Sequence, residues 1–524
     1  MNRSRNGRIN ERIGAGLLAL LFWFPAMVLA QGKPVRTESG LVSGVALSHG
    51  LEVFKGIPFA APPVGRLRWR PPQPPAAWQG VRKADQFGAP CMQPPSPERL
   101  GPWTRVFLSK MKPSENCLYL NIWTTAKRPK TPRPVMVWIY GGGFTSGAGS
   151  VEIYDGAALA RKGVVVVNFN YRLGAFGFFA YPGLTAESPH HSSGNYALLD
   201  QIAALGWVQR NIAAFGGDPH HVTIFGQSAG AASVWAMMQS PLAEGLFERA
   251  IVMSGPAVIP TPAITGQRTL ASAEKMDEKF ADKLGVHTLE QLRALPAEKL
   301  MQDSEHARWA PIHDGWVLRP GWQPEHQTPV ISGMVADDIG IGYYGNGPAP
   351  AMTLKTYHKR MQAICGNEIS ECLKLYPAHD GTQAAVALRT ALQDRARVSF
   401  YMWGVKQLHY SPRVYTYYFN RKIPWPQHPD YLVFHSSGLP YVFDNLRLLD
   451  RPWQTVDHRV ARQMSLYWTN FAKTGSPDGN GLPSADGAYP AGLAGPAEVL
   501  DGTPERAAGV LTGATGRCPR KGES

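Results

Sequence analysis

The sequence predicts an α/β protein with one large, mostly parallel central sheet and helices on both of its faces. The first observation is a set of continuous apolar runs, such as PVMVWIY (134–140) and GVVVVNFNYR (163–172), which have no polar alternation. Strands of this kind are buried on both faces. The second observation is that such runs alternate with segments of helical periodicity, which favours parallel strands joined by crossover helices.

The N-terminal segment differs from the rest of the chain. Four arginines in the first twelve residues precede the apolar stretch IGAGLLALLFWFPAMVLA, which ends in Ala30. This pattern is typical of a secretory signal peptide. An uncleaved membrane anchor is the alternative, but two glycines and Pro25 interrupt a run that is short for a span. We predict a signal peptide over 1–30 and one domain over 31–524, located in the periplasm or outside the cell.

Composition and charge exclude some function classes. The chain has 524 residues, of which 44% are hydrophobic and 18% charged, and its formal net charge is +14. The leader holds four arginines and one glutamate, which leaves +11 for the rest. The lysines and arginines are dispersed, without basic blocks between aromatic residues, and this disfavours nucleic-acid binding. The basic surface is either simply solvated or attracts anionic substrates.

The first half of the mature chain begins with two short predicted strands, in RTESGLVSG and LEVFKGIPFA. The proline-rich APPVGRLRWRPPQPPAAW that follows cannot form a regular helix or a central strand. After a long loop and the two valine-rich strands comes NYALLDQIAALGWVQRNIAAFG. This segment is predicted to be a helix because five apolar side chains fall on one stripe: Leu198, Ile202, Leu205, Val208 and Ile212.

The second half continues the alternation. Strands are predicted in HVTIFG, RAIVMSG (249–255), PVISGMV (329–335) and RVYTYYF (413–419). Mostly helical insertions are predicted between about 256 and 325 and again from 350 to 410. The tail from about 485, rich in Ala, Gly and Pro, is predicted to be loop-like.

The stretch VTIFGQSAGAASVWAMM (222–238) changes from a strand-like to a helix-like run at Ser228. GQSAG matches the G-x-S-x-G elbow, in which a sharp turn exposes a nucleophilic serine. An ordinary turn with a glycine-flanked serine is the alternative. A serine is a weak nucleophile without a base, and acyl transfer also needs donors for the developing oxyanion.

The glycines of IYGGGF (139–144) are candidates for these donors. Three consecutive glycines let backbone N–H groups point into a cavity without obstruction by Cβ atoms. A phosphate-binding loop is the alternative, but the lysine of the G-x-x-x-x-G-K-[ST] pattern is missing.

Five cysteines in an exported chain suggest disulfides with one thiol left over. Cys91 and Cys117 bracket a long loop, Cys365 and Cys372 lie seven residues apart, and Cys518 stands alone near the C-terminus. The spacings do not include C-x-x-C, so a zinc site is disfavoured.

The order of several stretches resembles the type B carboxylesterase and cholinesterase family of the α/β-hydrolase superfamily. These stretches include FKGIPFAAPPVGRLRW, SENCLYLNIW, WIYGGGF, NYRLGAFGF, GQSAG, HSSGLPYVF and YWTNFAKTGSPDG, and they span nearly the whole mature chain. The resemblance implies an α/β-hydrolase fold with helical insertions that form a substrate gorge. It also implies hydrolysis of a small-molecule ester through an acyl-enzyme, with neither metal nor organic cofactor. The oligomeric state stays open.

The resemblance also implies roles for individual residues. Ser228 becomes the nucleophile and His435 the general base. Among the fifteen histidines, His313 and His428 are the other candidates, and only the motif around His435 selects it. The oxyanion hole is implied to consist of three backbone N–H groups, those of Gly142, Gly143 and Ala229.

The pattern leaves two candidates for the acid of the triad. GMVADDIG (333–340) aligns with the family's G-x-x-x-D-E-G, so Asp338 occupies the place of the glutamate and Asp337 is the alternative. The chain order Ser, acid, His is that of α/β-hydrolases. Two departures follow the histidine, where Ser436 and Gly438 replace the family's usual Gly and Glu.

Near the first pair of cysteines, Asn116 replaces the family's usual Asp, for which a mainly structural consequence is expected. The resemblance implies a disulfide between Cys91 and Cys117. A pair between Cys365 and Cys372 would be a local variant.

Substrate choice is weakly determined by sequence. Trp103 lies where the resemblance places the cation-binding tryptophan of cholinesterases, but three nearby cations, Arg105, Lys110 and Lys112, disfavour choline esters. The same cations favour an ester that carries a carboxylate, such as the polycarboxylic esters cleaved by fumonisin esterases of this family. A broad-specificity enzyme is the alternative. Two other function classes stay open: a catalytically silent binding or adhesion module, and a thioester or amide hydrolase with the same triad.

Overall fold

A computed structural model describes residues 32–125, 131–255, 268–304, 309–321, 328–338, 352–408, 411, 413–479, 482–483 and 498–499. The predicted signal peptide, the odd cysteine Cys518 and all but two residues of the predicted loop-like tail lie outside the described residues.

The described residues form fifteen β-strands. The strands are β1 (Val35–Thr37), β2 (Gly40–Ser43), β3 (Val45–Ala46), β4 (Glu52–Pro58), β5 (Val81–Lys83), β6 (Arg99–Leu100), β7 (Trp103–Thr104), β8 (Tyr119–Thr124), β9 (Arg133–Ile139), β10 (Val165–Phe169), β11 (Gly217–Gln227), β12 (Arg249–Met253), β13 (Val330–Val335), β14 (Val414–Phe419) and β15 (Glu498–Val499).

Ten of these strands form the central sheet, in the order β15-β14-β13-β12-β11-β9-β10-β8-β4-β3. Neighbours from β15 to β10 are parallel, whereas β8, β4 and β3 continue the sheet in antiparallel fashion. The predicted mostly parallel sheet is therefore confirmed. The sequence did not reveal the antiparallel edge, because an apolar strand buried on both faces looks the same in either direction.

The α-helices of the described residues number thirteen. They are α1 (Ala157–Arg161), α2 (Gly174–Phe178), α3 (Pro182–Glu187), α4 (Tyr196–Asn211), α5 (Ala229–Met238), α6 (Leu270–Lys283), α7 (Leu289–Ala294), α8 (Ala297–Asp303), α9 (Leu354–Cys365), α10 (Ile369–Leu375), α11 (Gly381–Gln407), α12 (Leu439–Val442) and α13 (Thr455–Thr474).

Burial explains why the predicted elements form where they do. Strands β10, β12 and β13 are fully buried, and so are β9 from Val135 and β11 from Val222 onward, as strands covered on both faces must be. The predicted stripe of α4 faces the core, with Leu198, Leu205 and Val208 all 0% exposed. Strand β11 begins four residues before the predicted run at His221, and its register against β9 shifts between Gly217 and Val222.

The two predicted insertions are helical where the structure describes them. Helices α6 to α8 stand between β12 and β13, and α9 to α11 stand between β13 and β14. The second insertion has a small apolar core of its own, built around Tyr357, Met361, Leu388 and Leu392. Within the described part of the chain, no helix is both long and apolar enough to span a membrane.

Candidate active site

Ser228 stands at the sharp turn between β11 and α5. Its backbone has φ 60° and ψ −125°, a region that non-glycine residues rarely adopt. Two bonds hold this turn, since the Ser228 N–H donates to the Met253 carbonyl over 3.0 Å and the Ser228 carbonyl accepts from the Ala232 N–H over 2.9 Å. The serine hydroxyl therefore sits at a strained corner that its neighbours enforce.

Glycines make the close packing around this corner possible. A Cβ atom on Gly230 would lie 2.0 Å from the Ile139 carbonyl oxygen, and one on Gly226 would lie 2.5 Å from the Gly230 carbonyl oxygen. Such separations are far inside van der Waals contact. The strand β9, the end of β11 and the start of α5 can approach this closely only without side chains.

The glycine loop after β9 lies directly against the serine turn. A Cβ atom on Gly141 would come within 2.4 Å of the Gln227 carbonyl oxygen and 3.0 Å of the Ser228 Cβ. Gly142 and Gly143 follow with φ values of 117° and 64°, and both are exposed. Ala229 is the first residue of α5, where backbone N–H groups have no intrahelical acceptor. The predicted oxyanion-hole residues thus flank the serine.

His435 and Asp338 meet although 97 residues separate them. His435 Nδ1 is hydrogen-bonded to Asp338 Oδ1, with the imidazole 25% exposed and the carboxylate 5% exposed. Strand β13 ends three residues before this aspartate, which therefore lies at the same edge of the sheet as Ser228. Burial, and to a smaller extent the charge of Asp338, raise the pKa of nearby Tyr417 well above its usual value. That phenol therefore stays neutral beside the carboxylate.

Asp337, the alternative acid, has other partners. Its carboxylate accepts hydrogen bonds from Arg389 and Gln393 of α11 and from the Val433 backbone N–H. These partners are all donors and include no histidine. The structure therefore brings Asp338, and not Asp337, to His435.

Gln227, which the sequence analysis did not single out, connects the serine turn to the histidine loop. Its Nε2 donates to the His435 carbonyl over 2.8 Å, and its Oε1 is 3.5 Å from the Ser436 hydroxyl. The side chain is 5% exposed. The only sequence signal was its position inside G-x-S-x-G, where the pattern allows any residue. The neutral amide of Gln227 and the hydroxyl of Ser436 occupy this side of the histidine loop.

An aromatic contact supports the residue before the base. Trp103, in the loop closed by the first disulfide, lies edge-on to Phe434 with 6.1 Å between ring centroids, and Phe107 packs similarly at 6.2 Å. In the same loop, Gln93 exchanges two hydrogen bonds with the backbone of Gly147, at 2.8 and 2.9 Å. This loop therefore contacts both the histidine loop and the segment that follows the glycines.

The other candidate residues contact partners outside the group of Ser228, His435 and Asp338. His428 is 2.9 Å from Arg99, and the backbone of His313 pairs with residues 268–270. Asn116 accepts a hydrogen bond from the Tyr119 hydroxyl over 2.8 Å. Among the described residues there is no cluster of three or more His, Cys, Asp or Glu side chains that could hold a metal ion.

Both implied disulfides are present. Cys91 is bonded to Cys117 with 4.9 Å between Cα atoms, and Cys365 is bonded to Cys372 with 6.5 Å. The first closes the loop that carries Trp103. The second joins α9 to α10 and closes a small ring within the second insertion.

Comparison with known proteins identifies the family of this chain. The sequence model of the Carboxylesterase family matches residues 31–500. The chain belongs to this family. A carboxylesterase of this kind is a carboxylic ester hydrolase, and the serine turn, the glycine loop and the His435–Asp338 pair lie together at one edge of its sheet.

Individual relatives are named as esterases. The carboxylesterase is 37% identical over 497 residues to a fumonisin B1 esterase of Sphingopyxis macrogoltabida, covering 90% of this chain and 88% of that protein. It is 35% identical over 471 residues to a para-nitrobenzyl esterase of Bacillus subtilis, covering 84% of this chain and 90% of that protein. A solved structure of a PNB esterase has a TM-score of 0.71 at 32% identity, covering 86% of this chain and 92% of that one. These similarities confirm the α/β-hydrolase fold.

Proposed function

We propose that this carboxylesterase cleaves its substrates with a triad of Ser228, His435 and Asp338 and an acyl-enzyme intermediate. The observation that carries the proposal is the hydrogen bond from His435 Nδ1 to the buried Asp338 carboxylate, at the same sheet edge as the strained Ser228 turn. A carboxylate in this position fixes the imidazole tautomer and stabilises the imidazolium that forms during the reaction.

The proposed reaction has two matching halves. Ser228 Oγ attacks the ester carbonyl carbon while His435 Nε2 removes its proton, and the carbonyl oxygen becomes an oxyanion. The N–H groups of Gly142, Gly143 and Ala229 donate to that oxyanion, helped by the positive N-terminal end of α5. His435 then gives its proton to the departing alcohol. Water attacks the acyl-enzyme by the same steps, and the carboxylic acid leaves as Ser228 regains its proton.

The experiment uses the purified chain with p-nitrophenyl acetate and butyrate, alongside Ser228→Ala. We expect the variant to lose at least about 10³-fold in kcat, because no other hydroxyl occupies the turn. Ser48→Ala, an exposed serine far along the chain, serves as the matched control and should keep full activity. Equal activity of Ser228→Ala and the wild type would refute the triad.

The same panel separates the other function classes. A wild-type chain that cleaves no short ester would indicate a binding module. Faster cleavage of matched thioesters or anilides than of oxygen esters would indicate a thioester or amide hydrolase with the same triad.

Carboxylate-bearing esters are a finer proposal for the substrate. The net charge of +11 beyond the leader and the similarity to a fumonisin B1 esterase favour them. The local charges favour them less than the sequence suggested, because Arg105 pairs with Glu98 at 3.1 Å and Lys110 pairs with Glu152 at 2.7 Å. These pairs reduce the positive field of the loop, and a broad-specificity enzyme is the alternative.

A panel of neutral, cationic and carboxylated p-nitrophenyl esters at two salt concentrations tests this finer proposal. Salt screens the attraction between exposed charges that are further apart than the Debye length, which is about 8 Å at physiological salt. A preference for the carboxylated esters that fades with salt would support the proposal, and equal rates would identify a generalist.

Export of the chain is also a proposal. It is supported by the leader pattern and by the two disulfides, which form in oxidising compartments. N-terminal sequencing of the protein recovered from the periplasm or the medium should begin at Gln31. An intact Met1 on the recovered protein would contradict it.

A further inference from the structure

The peptide that leads into His435 is held in a strained path. Leu432 has φ 47° and ψ −140°, a conformation that non-glycine residues keep only where their surroundings enforce it. Val433 and Phe434 follow it and are 6% and 2% exposed. Something must therefore hold this peptide in place directly before the base.

Asp337 makes the contacts that hold it. The Asp337 N–H donates to the Val433 carbonyl over 3.0 Å, and the Val433 N–H donates back to Asp337 Oδ2 over 3.0 Å. Asp337 and Phe434 also form an isolated parallel bridge. One residue thus fixes both backbone groups of Val433, two positions before His435.

The other oxygen of Asp337 is tied to the second helical insertion. Arg389 Nη2 donates to Oδ1 over 2.8 Å, and Gln393 Nε2 donates to the same oxygen. Arg389 and Gln393 are four residues apart, so they lie on one face of α11. Leu388 and Leu392 of the same helix are buried in the small core that α11 shares with α9 and α10. The packing of this insertion therefore sets where the two donors stand.

Asp337 is not free to act elsewhere. Its side chain is 16% exposed and that of Arg389 is 21% exposed, so water screens the pair only in part. Each of its three partners is a hydrogen-bond donor. Only a carboxylate offers two acceptor oxygens to these donors. An asparagine would have one acceptor and would turn an N–H₂ group toward a donor on one side or the other.

We propose that Asp337 is a positioning residue, which connects α11 of the helical insertion to the backbone before His435 and thereby sets the orientation of the imidazole. This inference rests on the proposed role of His435 as the base. Asp337 touches neither the imidazole nor the reacting atoms, whereas its neighbour Asp338 binds the imidazole directly. The two adjacent aspartates then have separate tasks, with one fixing the peptide and the other fixing the ring.

The first test is Asp337→Asn, assayed with p-nitrophenyl butyrate at 25 °C for kcat, KM and the pH profile of kcat, together with a thermal melt. We expect kcat to fall about 10- to 100-fold with KM changed by less than about two-fold, because the ring is misaligned while substrate binding is untouched. The inflection of the pH profile should also move. A lower melting temperature with unchanged kcat and pH profile would reduce Asp337 to a purely structural role and overturn the inference.

Variants on α11 test the connection itself. Arg389→Met should reproduce part of the kcat loss, and adding it to Asp337→Asn should lower kcat little further, because both changes break the same contact. Arg389→Lys should restore most of the activity, since the contact uses a single nitrogen. Full additivity of the two changes would contradict the connection. If Asp337→Asn fails to fold, Arg389→Met and Gln393→Leu provide the same measurement.

Two controls distinguish a specific role of Asp337 from a general sensitivity of the enzyme to mutation. Glu371→Gln removes an exposed carboxylate of the same insertion, which pairs with Lys374, and should leave kcat and the pH profile unchanged. An equal kcat loss in Glu371→Gln would mean that any change in the insertion is harmful, which overturns the specific role of Asp337. Ser228→Ala in the same panel tests the proposed function. If Ser228→Ala is inactive while Asp337→Asn behaves as wild type, the positioning role of Asp337 is refuted and the proposed function stands.

Discussion

The two halves of the active site are held in place by different kinds of contact. The nucleophile half, comprising the glycine loop and the turn from Gly226 to Gly230, is held by backbone groups and by Gly141, Gly226 and Gly230, which leave no room for a side chain. The base half, comprising Asp338 and the loop around His435, is held by side chains from two distant parts of the chain, Gln227 and the adjacent pair Asp337 and Asp338. The first half tolerates few residue types at each position. The second depends on individual side-chain hydrogen bonds, such as the one that Gln227 donates to the His435 carbonyl.

The largest effect is expected from a change in the nucleophile half. Gly230→Ala would place a Cβ atom 2.0 Å from the Ile139 carbonyl oxygen, and the main chain there cannot move without shifting β9. We expect no folded, active enzyme, measured by soluble yield, circular dichroism and esterase rate. Gly206→Ala in α4 is the control, because its Cβ meets only the flexible Arg210 side chain at 3.1 Å. A fully active Gly230→Ala would contradict the claim that close backbone packing holds the nucleophile half.

The next largest effect is expected from Asp338→Asn. The asparagine preserves the shape of the site but leaves the imidazole without its carboxylate, so kcat should fall about 10³- to 10⁴-fold while the protein stays folded. Steady-state kinetics on p-nitrophenyl butyrate check this prediction, with circular dichroism as the control for folding. A smaller loss than that of Asp337→Asn would transfer the role of triad acid to Asp337.

A smaller effect is expected from Gln227→Met. Methionine has a similar length but cannot donate to the His435 carbonyl, so the histidine loop loses one of its attachments. We expect kcat to fall about ten-fold with KM nearly unchanged. Gln239→Met, at the other end of α5, should have no effect. An unchanged kcat in Gln227→Met would show that the base half does not depend on this side chain.

The smallest effect concerns the titration of a carboxyl outside both halves. This titration also has to be known before the pH profiles of variants in the base half can be interpreted. Burial raises the pKa of Asp277 in α6 from 3.8 to about 7, opposed by the hydrogen bond from the Ala180 N–H and by Arg268. The folded state thus binds the proton more tightly than the unfolded state. The stability that this proton contributes is fully present below about pH 4 and is lost as the pH rises through 7.

Asp277→Asn removes this titration and keeps an acceptor for the Ala180 N–H, which donates to the carboxyl over 2.8 Å. We expect the variant to melt a few degrees above the wild type at pH 8.5 and at nearly the same temperature at pH 5. Melting curves at the two pH values check this. An equal shift at both would mean that packing, and not ionisation, explains the change.

The comparison of the two halves also shows which features the sequence reveals. Ser228, the glycines and the strands were predictable, because a turn without space for side chains and a strand buried on both faces restrict residue types within a short stretch. The contacts of Gln227 with His435 and of Asp337 with Arg389 were not. They join residues 208 and 52 positions apart, and nothing near Gln227 or Arg389 in sequence marks its partner.

The choice between Asp337 and Asp338 illustrates the same limit. Both are aspartates next to each other after β13, so residue type cannot separate them. Both lie beyond the end of β13, their side chains point to different partners, and only the fold sets which one meets His435. The antiparallel edge of the sheet escaped prediction for a similar reason, since strand direction depends on connections and not on local composition.

The most direct test of the triad is covalent labelling of the nucleophile. The purified chain is treated with diethyl p-nitrophenyl phosphate, which phosphorylates activated serines, and is then analysed by intact mass and peptide mapping. We predict one diethylphosphoryl group per chain, located on Ser228, and labelling that slows by orders of magnitude in Asp338→Asn. A label on any other residue, or equal labelling rates in the two proteins, would contradict the account.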